Sequence, residues 1–179
     1  MKSHGSIPLL ISKLSDQSSQ NPGLMTISFI IYGAFIICFS YALYFRIQRG
    51  VKAYITWFAL TLYGSCMILA GIFQDTAGLG SDSLNLEGFI HNTVIIISNI
   101  SILIGMWMFA GSVYKKPSWF GFTWFTIGAS ILGLVLSIIF AVQTYIPASG
   151  LLQHFFYLVL LIWVEKVATW LFRLSFKPE

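Results

Sequence analysis

Five apolar stretches, 23–45, 53–73, 89–113, 119–142 and 151–172, divide this 179-residue chain and leave little sequence between them. A hydrocarbon slab about 30 Å thick takes about 20 residues at a helical rise of about 1.5 Å each. Each stretch is therefore long enough to cross a bilayer as one helix. The first four carry no formal charge beyond His91, whereas the fifth is interrupted by Glu165 and Lys166. Membrane β-strands would show alternating segments of about ten residues, and no such pattern occurs. At 57% hydrophobic residues, 9% charged and a mean hydropathy of +0.82, the chain has more apolar surface than one water-soluble core of this length can hide. The expected fold is all-α, a polytopic transmembrane helical bundle, with residues 23–179 as a single domain behind a polar segment 1–22.

Charge in the loops sets an expected orientation. Arg46, Arg49 and Lys52 lie between the first two spans, Lys115 and Lys116 between the third and fourth, and Arg173 and Lys177 near the C-terminus. All fall on one side, which the positive-inside rule makes cytoplasmic. The segment from Gln74 to Gly88 holds Asp75, Asp82 and Glu87 without Lys or Arg, so it faces outward, as do the neutral loop 143–150 and the N-terminus. The N-terminal segment has no signal-peptide pattern, its longest apolar run being Ile7 to Ile11.

Several function classes are excluded. The net charge of +4 comes from the loop ends, with no basic patch interleaved with aromatics, so nucleic acid is not an expected partner. Cys38 and Cys66 fall inside spans and read as packed thiols. Asn99 and Ser101 match a glycosylation acceptor but sit within the third span.

Helical periodicity of about 100° per residue assigns faces. In the third span Glu87, His91, Val94, Ser98, Ser101 and Gly105 share one stripe, flanked by Gly88, Asn92, Asn99 and Met106. Ile90, Thr93, Ile96, Ile97, Ile100, Leu103, Ile104 and Trp107 form the lipid-facing arc. Gly64, Gly71 and Asp75 mark a comparable face of the second span, and Thr126, Ser130, Gly133, Ser137 and Ala141 one of the fourth. His154, Leu161, Glu165 and Phe172 share a face of the fifth, read as inward. Small residues let helices approach closely in lipid, and polar ones hydrogen-bond across. Trp57, Trp107, Trp119, Trp124, Trp163 and Trp170 read as an aromatic surface for lipid or partner contacts.

Topology then draws Asp75, Glu87, His91, Gln153 and His154 to one outer rim, where Ser12 and Asp16 of the N-terminal segment can cap them. Three uses of this expected pocket are open. Glu87 and His91, four apart on a helix, can join Asp75 and His154 as mixed nitrogen and oxygen ligands, with zinc activating water for lipid hydrolysis; Asp75 and His91 are the catalytic candidates and Glu87, His91 and His154 the metal candidates. His91 and His154 can also ligate a haem b. In the architectural use the same groups anchor helix ends, Glu87 favouring the helix dipole, and the protein is a non-catalytic accessory subunit or a bundle that binds lipid head groups. No cofactor is required by the sequence. Glu165 is either an intramembrane acid or, with Lys166, already at the interface, where "EKVATWLFRLSF" lies as an amphipathic tail.

The stretches "LLISKLSDQSSQNPGLMTISFIIYG" (9–33), "AGIFQD" (70–75), "LEGFIH" (86–91) and "GLLQHFFYLVLLIW" (150–163), in this order, resemble the bacterial and archaeal membrane family called domain of unknown function 998. The resemblance covers most of the chain, and the family's motif positions correspond to Ser12, Asp75, His91 and Gln153. His154 stands where that family usually has Arg, and the family's first helix, which would precede Ser12, is absent; with it the count would be six crossings. The resemblance implies a multi-pass protein of the bacterial or archaeal plasma membrane and no established activity. A more distant similarity to the Frag and DRAM group implies only an association with lipid.

Overall fold

A computed structural model of the chain describes residues 22–47, 50–73, 86–142 and 149–176. They form α1 (Pro22–Arg46), α2 (Val51–Ile72), α3 (Leu86–Val113), α4 (Phe120–Val142) and α5 (Ser149–Ser175), with a 3-10 turn at Pro117–Trp119 leading into α4. No strand occurs among these residues. All five helices are long and apolar enough to cross a membrane, and the protein is a multi-pass helical bundle. Of the expected site residues, Ser12, Asp16 and Asp75 lie outside the described segments, as does Asp82.

Successive helices pack side by side, and the first three pack most extensively. Backbone proximity explains the α1/α2 pair. A Cβ on Gly64 would stand 2.7 Å from the Gly33 carbonyl oxygen, and one on Gly71 would stand 3.0 Å from Thr26 O and Phe29 Cβ. Only glycine lets the two backbones come so near, which maximises dispersion contact where no hydrophobic drive acts between helices. Polar groups add to the join: Ser40 donates to the Ile37 carbonyl at 2.7 Å and lies 2.8 Å from the Thr61 hydroxyl. The Tyr32 and Tyr63 hydroxyls meet at 3.1 Å. On the other side of α2, Gly105 of α3 admits Leu60, which a Cβ would meet at 3.1 Å.

The second half of the bundle is centred on Trp163. Its ring is fully buried, edge-on to Phe39 of α1 at 6.1 Å and to Phe109 of α3 at 5.8 Å. Its indole N–H donates to Thr126 Oγ1 of α4 at 3.0 Å. One side chain thus ties α5 to three other helices. Trp119 is also buried, against Phe109. These two tryptophans are core residues, not the lipid-facing surface that the sequence suggests, because the centre of the bundle has room for large rings whose N–H finds a partner.

The inward stripe of α3 matches the periodicity: His91, Val94, Ser98, Ser101 and Gly105 are buried, and Ile96, Ile97, Ile100, Ile104 and Trp107 are exposed, whereas Ile90, Thr93 and Leu103 of the expected outer arc are half-buried, Ile90 and Leu103 against neighbouring core side chains. In α5 the expected inward face is reversed. Leu161, Glu165 and Phe172, with His154, are exposed, while Gln153, Phe156, Leu160, Trp163, Val167 and Leu171 face the core. Nor does the end of α5 leave the bundle as a surface tail. The helix is continuous to Ser175, and Val167 and Leu171 pack in the core.

Candidate functional site

His91 sits one turn into α3 and is almost completely buried. Its Nδ1 lies 2.7 Å from the Phe73 carbonyl oxygen and 3.2 Å from that of Ala70. Carbonyls only accept, so the proton is on Nδ1. Both carbonyls belong to the last turn and C-cap of α2, where the backbone has run out of intrahelical donors and carries the negative end of the helix dipole. A histidine is well suited there, since it supplies a directed N–H. Among the described residues its Nε2 is buried without a hydrogen-bond partner.

The other rim residues are placed differently. Glu87 lies in the first turn of α3, as the helix dipole favours, and is exposed. His154 is exposed on α5, and Gln153 beside it is buried. Among the described residues no three His, Cys, Asp or Glu side chains converge as a metal site would need.

Gln153 instead lines a chamber of about 40 Å³ between α3, α4 and α5, together with Asn99, Ser137 and Tyr157. Asn99 Oδ1 and Ser137 Oγ are buried there without partners among the described residues. The chamber has room for about one or two water molecules, which would satisfy those atoms, and is too small for a lipid head group. Asn99 on an inner wall also accounts for its poor fit as a glycosylation acceptor.

Two wider openings lie where α1 and α5 barely touch. A cleft of about 210 Å³ is bounded by Met25, Ser28 and Tyr32 of α1, Met67 of α2 and Tyr157 and Leu161 of α5. A second, of about 570 Å³, runs between Phe35, Cys38, Ala42 and Phe45 of α1 and Ala168 and Phe172 of α5. Where the two helices do meet, Phe39 abuts Trp163. At the end of the larger cleft Arg46 Nη2 donates to Ser175 Oγ at 3.0 Å, which brings the last turns of α1 and α5 to the same level. The seam was not foreseen. Its signal in the sequence was the small residues Cys38, Ala42 and Ala168 facing each other, which no single-helix periodicity pairs up.

A bundle of five membrane-crossing helices, with one apolar seam open to the surrounding lipid, defines the class: a multi-pass α-helical membrane protein. The chain belongs to the family described as protein of unknown function (DUF998), whose family model matches residues 7–170. No curated protein and no solved structure matches it.

Proposed function

We propose that this protein is a non-catalytic membrane bundle that binds a phospholipid in the α1/α5 seam. The observation that carries the reading is the cleft of about 570 Å³ with apolar walls and Arg46 at its end. Its walls suit an acyl chain. The guanidinium, one of whose five N–H groups is engaged by Ser175, suits a phosphate, to which arginine binds through its planar fork. The non-catalytic part is supported by His91, whose Nδ1 proton is committed to α2 carbonyls, so that it serves as an anchor for the end of α2. The basic end faces the cytoplasm of a bacterial or archaeal cell, and the lipid is drawn from that leaflet.

Cys38 provides the test, since it is exposed and lines the cleft while Cys66 is buried. A photoreactive maleimide on Cys38, activated in vesicles of mixed anionic and neutral phospholipid, is expected to yield a peptide carrying predominantly anionic lipid. The Arg46→Gln variant should lose that preference and keep lipid labelling. Capture of polypeptide in place of lipid would overturn the reading in favour of an accessory subunit seated in the seam.

A further inference from the structure

Glu165 and Lys166 occupy the face of α5 that turns away from the bundle, and both are exposed. Among the described residues neither makes a hydrogen bond or ion pair. Adjacent residues of a helix point about 100° apart, so the two do not face each other. Their depth makes this costly. The candidate span of α5 is Leu151–Ser175 by length and composition, which puts Glu165 about 21 Å from one end and about 15 Å from the other. A slab of about 30 Å placed anywhere within that span leaves Glu165 at least about 9 Å inside the hydrocarbon, beyond the reach of its short side chain. Ser175 is level with Arg46 at the end of α1, and the helix is unbroken between.

A charge at such depth is paired with something, and the rest of the face says with what. Leu151, Phe155, Leu158, Ile162, Glu165, Thr169, Phe172 and Phe176 follow alternating steps of four and three residues, and all are exposed. That is the spacing of a helix seam built to meet another helix in a left-handed crossing. On this seam Glu165 and Lys166 flank the centre line on opposite sides. A two-fold axis along the membrane normal brings the residue on the left of one helix opposite the residue on the right of the other.

We propose that α5 is a dimerisation helix, a second copy of the chain packing along its outward seam with Glu165 paired to the partner's Lys166 and Lys166 to the partner's Glu165. The arrangement satisfies all four charges within the membrane and is self-complementary, which an acid and a base side by side allow and two acids would not. Glu165 and Lys166 do not line the α1/α5 cleft, which this seam meets only at Phe172.

The test uses two differently tagged full-length copies in membranes, each carrying Cys38→Ala, Cys66→Ala and Thr169→Cys. Oxidation should link the two tags, while Leu132→Cys on the exposed face of α4 should not. Glu165→Lys leaves four cations at the seam of a dimer and Lys166→Glu four anions; each expressed alone should lower cross-linking by roughly tenfold. Co-expression of Glu165→Lys under one tag with Lys166→Glu under the other should restore it, which a mere folding defect would not permit. No link between tags in the parent, a link unmoved by either reversal, failure of co-expression to restore it, or capture of a different protein at position 169 would each overturn the proposal.

Discussion

The indole N–H of Trp163 donates to Thr126 Oγ1 across the α4/α5 contact at 3.0 Å, and both residues are fully buried. Hydrogen bonds between membrane helices average about 0.6 kcal/mol, while removing a buried large ring costs about 3–5 kcal/mol. Thr126→Val should therefore lower stability slightly and Trp163→Ala severely, as read by thermal unfolding in detergent. Equal losses would mean that the hydrogen bond, and not the packing against Phe39 and Phe109, holds the centre together.

His91 closes the end of α2 through Nδ1, and the amide nitrogen of asparagine stands close to where that donor stands. His91→Asn should keep the last turn of α2 protected from hydrogen exchange, whereas His91→Ala should expose residues 70–73, with a global loss of about 1–3 kcal/mol for the unpaired carbonyls. Chelator treatment should leave the melting temperature of the parent unchanged. A melting temperature that falls on chelation and recovers with zinc would point to the hydrolase chemistry instead.

Glycines separate by what surrounds them. Gly64→Ala puts a methyl group against the Gly33 carbonyl and should cost about 1–3 kcal/mol through separation of α1 and α2. Gly128 on α4 has nothing within 4 Å of an added Cβ, so Gly128→Ala should be neutral or stabilising by up to about 1 kcal/mol through helix propensity. Melting curves of the two variants side by side check the prediction.

Orientation is open to the same kind of test. Glu87→Cys and Ser118→Cys place exposed thiols at opposite ends of α3 and the following turn. In a Cys38→Ala, Cys66→Ala background an impermeant maleimide added to intact cells should label the first and not the second. The opposite result would invert the bundle and move the phospholipid to the other leaflet.

Much of this architecture is legible in the chain, for particular reasons. The five crossings follow from length and hydropathy because the bilayer requires every backbone polar group to be satisfied within its own helix. The inward stripe of α3 is readable because its polar residues are small: Ser98, Ser101 and Gly105 suit close helix contact. The same logic fails in α5. There periodicity finds a face holding His154 and Glu165, but a polar face in a membrane helix turns toward whatever will pair with it, and the partner need not be in the same bundle.

What the sequence determined by itself is the number, length and order of the helices, and the inward walls of α2, α3 and α4, because these depend on local hydropathy and on a fixed turn angle. Tertiary structure alone decided that Trp163 is the hub, that His91 closes α2, and that α1 and α5 stand apart along an apolar seam. Each is a relation between residues distant in the chain. It is set by how closely whole helices approach, and glycine contacts and ring volumes fix that approach only once all five are in place.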